Sequence, residues 1–413
     1  MAENHELIIR NAVLRSGEKV DIAISDGKIA AIAPRLDVKA AAEIDAAGNL
    51  VTESFVNTHL HLCKVYTLMM MDEAALKDYH GADMGKAMTA IEAAMKVKEN
   101  YDERWIIKNV RKAVALAGRY GCTHIRAFAD VDSKAKLEGV KALLKAREEF
   151  KGIVDIQVVA FAQDGLVREP GAEKLLREAM QLGCDVVGGI PWIEYTDAAI
   201  AEHVRICFEI AKEFNKPVSM LVDDAGDNGL RSLEVMALET IKTGWQGRSL
   251  AHHARAMSLY PKPYLQKLAH LLKEAGMGLV SDPHTGPLHA RVRELHEEKV
   301  PVCLGQDDIS DAYYPYGRNN MLEVAFINSH LLWYTTHEDM ETLYDMVTTI
   351  AAKCIGVEDF GIQVGNTANL VVLDQPNVLE ALRFHERPAV VVSHGKVVDQ
   401  ALMDKIYLEN SKK

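Results

Sequence analysis

His59 and His61 stand one residue apart in the stretch FVNTHLHLCK, residues 55–64. Side chains alternate along a strand, so on a short buried strand over 55–62 both imidazoles leave the same face. A divalent ion that takes nitrogen ligands suits such a pair. The pair alone leaves a second reading open, in which one ring packs in a core and the other is solvated. Other residues able to do chemistry close later apolar runs: Asp130, Gln163, Trp192 with Glu194, Asp223 with Asp224, His252 with His253, Asp282 with His284, and Gln306 through Asp308. Each has an ordinary reading too. Asp223 and Asp224 are good turn formers, His252 could be solvated, and Trp192 could pack at a rim. They become a site only if the fold brings the run ends to one face.

The pattern between residues 55 and 355 supplies such a fold. Helical segments end in RYG, EEFKG, QLG, EFNK, KTG, KEAG and HEEK, and each precedes a short apolar run. Glycine just past a helix supplies the left-handed C-cap, and a β-rich run follows it. With FVNTHLHL the runs number eight. Strands alternating with helices imply parallel pairing and right-handed crossovers. No dinucleotide-type glycine fingerprint opens any helix, so the expected class is α/β, a (β/α)8 TIM-type barrel. Sites in such barrels lie at the C-terminal ends of the strands, where the polar residues fall.

Both ends of the chain read as β. ELIIRNAV, KVDIAIS and KIAAIA near the start, and NLVVLD and PAVVVSHGKVV near the end, are short runs separated by turn residues. Neither end has enough strands to stand alone. The expected organisation is a small β-sandwich domain from residues 1–54 plus 356–413, around a barrel over 55–355.

The 413 residues carry 47 Lys+Arg against 59 Asp+Glu, a net charge of −12. That balance argues against nucleic acid or an anionic membrane as partner. No run approaches the roughly 20 apolar residues of a membrane span, and the first residues do not read as a signal peptide. The six cysteines lack CxxC spacing and read as reduced core residues. A cytoplasmic homo-oligomer with a small-molecule partner is expected.

Several long motifs then resemble one family. The pattern G-N-L-V-x-x-x-F-V-N-x-H-x-H-L, the runs VDIQVVAFAQ and CDVVGGIP, AHHARAM, and GQDDISDAYYPYGRNNM are similar to the cytosine deaminase and N-alkylammelide hydrolase branch of the amidohydrolase superfamily. The resemblance spans nearly the whole chain. It implies one divalent metal ion, zinc foremost with iron, manganese or cobalt as others, held by His59, His61 and Asp307. Asp307 would also accept the proton of the attacking water, and His253 would polarise that water. Gln163 would read an amide edge of the heterocycle, with Trp192, His284 and Asp308 around the substrate. A cation lowers the pKa of water towards neutrality, and a carboxylate and an imidazole then move its proton.

The match breaks on the fifth strand. The family pattern there is His-x-x-Glu, a metal ligand and the residue that protonates the ring nitrogen, whereas this chain has Leu221 and Asp224. Leucine binds no metal, and aspartate is one methylene shorter as a proton donor. Three readings follow: a metal kept by His59, His61 and Asp307, completed by solvent or by His252, His253 or Asp223; a metal-free site; or an inactive ligand-binding relative. The first is preferred, because both strand-1 histidines, His253 and Asp307 are all present. Cys63, Phe128 and Gln306 also depart from the pattern, and Phe128, Trp192 and Leu221 would make a more apolar pocket. The resulting expectation is hydrolysis of a C–N bond, by deamination or dealkylamination, in an aminopyrimidine or aminotriazine. The alternative chemistry is hydrolysis of a cyclic amide, carbamate or thiocarbamate. The Met-rich segment 67–88 is expected to pack as a loop and helix rather than act as a lid.

Overall fold

In the computed structural model, residues 4–70 and 95–411 are described. The chain opens with strands β1 (Asn4–Val13), β2 (Lys19–Ser25), β3 (Lys28–Ala33), β4 (Lys39–Asp45) and β5 (Val51–Glu53). The first four form one sheet in the order β3-β2-β1-β4. β5 belongs to a second sheet with three strands from the other end of the chain, β14 (Leu370–Val372), β15 (Val390–Ser393) and β16 (Lys396–Val397), in the order β16-β15-β14-β5. Leu7, Ile9, Ile22 and Ile24 from one sheet share a buried core with Val51, Leu370, Val372 and Val392 from the other. The small β-sandwich is thus built from both termini. β4 had no expectation attached to it. Its sequence, KAAAEID, is alanine-rich and exposed, and it becomes a strand by pairing in parallel with β1 from Asn4↔Lys39 to Arg10↔Asp45.

The intervening chain supplies eight parallel strands: β6 (Phe55–Leu60), β7 (Cys122–Asp130), β8 (Asp155–Phe161), β9 (Val186–Gly189), β10 (Val218–Val222), β11 (Ser249–His253), β12 (Gly278–Ser281) and β13 (Val302–Leu304). They neighbour one another in sequence order. The ring closes where β13 meets β6: Leu60 bridges Asp307 in parallel, Asp307 N donates to His59 O at 2.9 Å, and His61 N to Asp307 O at 2.8 Å. Asn57 fastens the same seam, its Oδ1 accepting from Gln306 N at 3.0 Å. Closure therefore ties the two histidines to the carboxylate through backbone bonds. The helix ends before β7 to β13 carry left-handed residues as their sequences imply, from Gly121 (φ 75°) and Asn215 (φ 54°) to Lys299 (φ 63°).

The six cysteines are free thiols. Among the described residues no helix is long and apolar enough to cross a membrane. Of the Met-rich segment, residues 71–88 lie outside the described residues, so its expected packing is not addressed.

Candidate active site

At the C-terminal mouth of the barrel one ligand atom each from His59, His61, His253 and Asp307 lies within 4.8 Å of the others, all buried. Asp307 Oδ1 is the hub, 3.1 Å from His59 Nε2, 3.8 Å from His61 Nε2 and 3.9 Å from His253 Nε2. His59 Nε2 is buried without a hydrogen-bond partner. Its Nδ1 is engaged with His252 Nδ1 at 2.8 Å, so the bare nitrogen faces the carboxylate. An orphaned imidazole nitrogen among two further imidazoles and a carboxylate is a donor set that fits a zinc-like divalent cation. Of the neighbours open to completing it, His253 joins the cluster. His252 is spent on His59. Asp223 turns the other way: its Oδ1 accepts from Ser232 N (2.7 Å) and Ser232 Oγ (2.6 Å), and its Oδ2 from Tyr260 (2.7 Å).

Backbone conformation aims these groups. Asp223, His253, Ala254 and Asp307 all have positive φ, at 47°, 69°, 49° and 66°. Non-glycine residues rarely adopt that region, and such strain concentrates at functional sites. Here it turns the chain sharply just past β10, β11 and β13.

The charges suit a cation. Burial alone would raise the Asp307 carboxyl, but His253, His59 and His61 hold it well below the ordinary carboxylate range. Burial, reinforced by Lys64, pushes His61 far below the usual imidazole range. Burial likewise depresses His252 and His284. For His253 burial opposes the charge, yet Asp224, Asp307 and Asp282 outweigh it and raise its pKa. Its Nδ1 lies 3.3 Å from Asp282 Oδ2.

One wall of the mouth is apolar. Phe128, Phe161, Trp192, Leu221 and Tyr313 belong to a single buried cluster. The Phe128 ring sits 4.4 Å from His59 and 5.1 Å from His252 between ring centres. Phenylalanine thus occupies, against the imidazoles, the place where a polar residue was the usual pattern.

A polar group adjoins this wall at Tyr313. Lys64 Nζ contacts Gln163 Oε1, lies 3.5 Å from Asp130 Oδ1 and stands over the Tyr313 ring. Burial opposes its charge, but Asp130, with Asp308 and Asp311, outweighs this and raises it. Burial beside Asp307 and Asp311 pushes the Asp308 carboxyl well above its ordinary range. His284 is half-buried, its Nε2 3.3 Å from Gln306 O and its Nδ1 3.3 Å from Asn328 Nδ2.

Two strand-end residues serve the scaffold. Glu194 accepts from the backbone of Leu166, Val167 and Arg168 and from His203 Nδ1 at 2.7 Å, which pins the loop after β8. Gln306 Oε1 accepts from Arg318 N and Asn319 N, away from the cluster. Sequence reading missed Lys64, Thr285 and Arg255. The signals for the first and third were present: Lys64 follows His61 by three residues, and Arg255 lies inside AHHARAM, two residues after His253. Asp224 accepts from Arg255 Nε at 2.8 Å.

A barrel with its donor cluster at the strand ends, capped by a sandwich from both termini, defines a hydrolase of the metal-binding barrel class. The chain belongs to the Amidohydrolase family, which it matches over residues 42–399. It is 32% identical to N-isopropylammelide isopropyl amidohydrolase of Pseudomonas sp. (strain ADP) over 405 residues, 96% of this chain and 98% of the relative. The solved structure of 5-methylcytosine deaminase from Klebsiella pneumoniae with 5-fluorocytosine superposes with a TM-score of 0.87 at 29% identity, covering 95% of this chain and 97% of that one. N-isopropylammelide isopropylaminohydrolase from Burkholderia multivorans gives 0.84 at 26% identity, covering 95% and 98%.

Proposed function

We propose that this enzyme hydrolyses an exocyclic C–N bond of a nitrogen heterocycle, an aminopyrimidine or aminotriazine, releasing ammonia or an amine. The observation that carries the reading is the convergence of His59, His61, His253 and Asp307 on one point at the barrel mouth. His59, His61 and Asp307 would hold one divalent cation, zinc foremost, with His253 beside them. Such a cation, when bound, supplies the Lewis acidity that makes water a nucleophile near neutral pH. Asp307 takes the proton from the attacking water, and His253 holds that water by a hydrogen bond. Asp224, expected as a proton donor, is ion-paired with Arg255 as a carboxylate, and the proton that Asp307 takes from the water passes to the leaving nitrogen. The water oxygen bonds to the ring carbon, the C–N bond breaks, and the leaving nitrogen departs protonated. Gln163 and Asp308 address the heterocycle's polar edge, with His284 behind them. Phe128, Trp192 and Leu221 favour an N-alkyl substituent over a bare amino group.

Two measurements test the proposal. Elemental analysis of the purified protein should find about one equivalent of divalent metal per chain, lost to a chelator and restored on reconstitution. A screen of aminopyrimidines and N-alkylaminotriazines for ammonia or amine release should then give turnover that depends on that metal. Protein that takes up no metal on reconstitution overturns the mechanism.

A further inference from the structure

Among the described residues, Arg255 is the largest side chain that is essentially fully buried. It follows the two left-handed residues His253 and Ala254, and the turn throws its guanidinium under the site. Nε donates to Asp224 Oδ1 at 2.8 Å, Nη1 to Leu288 O at 3.2 Å, and Nη2 to Thr285 Oγ1 at 2.6 Å. Nη2 also lies 3.4 Å from Asp307 Oδ2. Thr285 Oγ1 donates in turn to that same Oδ2 at 2.7 Å. One oxygen of Asp307 is therefore held from behind by Thr285 and Arg255, while the other faces the three imidazoles.

We infer that Arg255 is a positioning residue that couples the carboxylate of Asp224 to that of Asp307, with Asp224 offsetting guanidinium charge that would otherwise oppose a cation at Asp307. The inference rests on the metal-binding reading of the cluster. A fixed cation beside a metal ligand opposes metal binding unless a counter-charge offsets it, because buried charges are weakly screened. Asp224 is that counter-charge. Without it, more of the guanidinium's positive charge bears on Asp307. Without Arg255, Asp307 loses the guanidinium that links it to Thr285 and Asp224 at once, which lysine with a single point charge does not replace. The coupling spans the fifth and eighth strands, and the fifth is where Leu221 stands in place of a ligand.

Zinc affinity of the full-length protein, read by competition with a chromophoric chelator, tests this. Arg255→Lys and Thr285→Val should each weaken zinc about 10–100-fold, the usual cost of losing a partner behind a ligand. Asp224→Asn should weaken zinc as well, although Asp224 is outside the donor cluster. The decisive comparison is the double variant Asp224→Asn with Arg255→Met, which should bind zinc more tightly than Asp224→Asn alone. A purely structural role for the pair predicts losses that add. Wild-type affinity in both Arg255→Lys and Thr285→Val, or a double variant no tighter than Asp224→Asn, overturns the coupling. Should Arg255→Met not fold, Arg255→Lys, Thr285→Val and Asp224→Asn decide by themselves, and wild-type affinity in Asp224→Asn overturns the coupling. If the unmodified protein takes up no zinc, the metal-binding reading fails and takes this inference with it. Wild-type uptake with insensitive variants overturns this inference alone.

Discussion

His59 and His252 meet nitrogen to nitrogen, Nδ1 to Nδ1 at 2.8 Å, in the buried interior of the barrel. One ring proton lies between them, and when His59 carries it the His59 Nε2 stands bare towards Asp307. A partner that orients a ligating histidine this way is typically worth about 10–100-fold in metal affinity. His252→Leu should therefore weaken zinc binding on that scale while leaving His59, His61, His253 and Asp307 in place. Chelator competition checks it, and an unchanged affinity would show that His59 needs no such orientation.

Removing a donor should have a larger effect than removing its support. His59→Ala and Asp307→Ala are each expected to abolish both metal uptake and turnover. Asp307→Ala should also lower the thermal midpoint, because it strips a partner from the buried Arg255 guanidinium. Full activity in either variant would rule out the metal mechanism.

Acid sensitivity should arise partly away from the site. His124 on β7 is buried, with Nδ1 at 2.8 Å from Thr123 Oγ1 and Nε2 at 3.5 Å from Asp155. Burial lowers its pKa to about 4, against the pull of Asp155 and with His394 adding to the drop. The unfolded chain protonates this residue near pH 6.5, whereas the folded chain keeps it neutral down to about 4. Between those values the unfolded state binds more protons, so stability falls as pH drops from about 6.5 to about 4, by at most about 3 kcal/mol for this group. Chemical denaturation across that window should show a shallower decline for His124→Gln than for the parent. Parallel curves would reject the assignment.

Much of this architecture was legible in the sequence because the signals were local. Glycine or asparagine past a helix and an apolar run after it located six of the eight strands, and the HxH spacing located two donors on one strand. What stayed hidden depends on side-chain direction beyond the strand end. Asp223 and Asp224 are adjacent, yet one caps the turn into the helix Ser232–Thr243 and the other faces Arg255. Glu194 looked like a site carboxylate but binds three backbone amides of another loop. Left-handed residues at the strand ends make these choices, and a non-glycine residue carries no sequence mark of that conformation. β4 was missed for another reason: alanine and lysine are poor strand formers, and only the partner β1 makes the segment extended.

Glu194 offers a test of scaffold against site. It is buried against His203, and breaking a buried pair by removing one partner costs about 3–5 kcal/mol. Glu194→Ala should lower stability on that scale in chemical denaturation, with metal content unchanged at low temperature. Loss of metal without loss of stability would mean that the residue belongs to the site after all.

Leu221 stands on β10 in register with His252 and is buried against Phe128, Phe161 and Trp192. If it forms the apolar wall of the substrate pocket, shortening it has two separable consequences. Leu221→Ala removes buried methylenes and should cost about 2–5 kcal/mol of stability, while metal content stays the same because leucine supplies no donor. It should also change the ratio of kcat/KM between an N-isopropyl and an unsubstituted aminotriazine, since pocket methylenes discriminate by roughly 10–200-fold. Leu221→His tests the other side of the same position. An imidazole in this dry wall lacks a partner and should destabilise by about 1–3 kcal/mol unless it reaches the metal. A stable, metal-replete Leu221→His variant with raised zinc affinity would mean that the fifth strand still points a ligand position at the cluster. An unaltered substrate ratio in Leu221→Ala would remove this residue from the pocket.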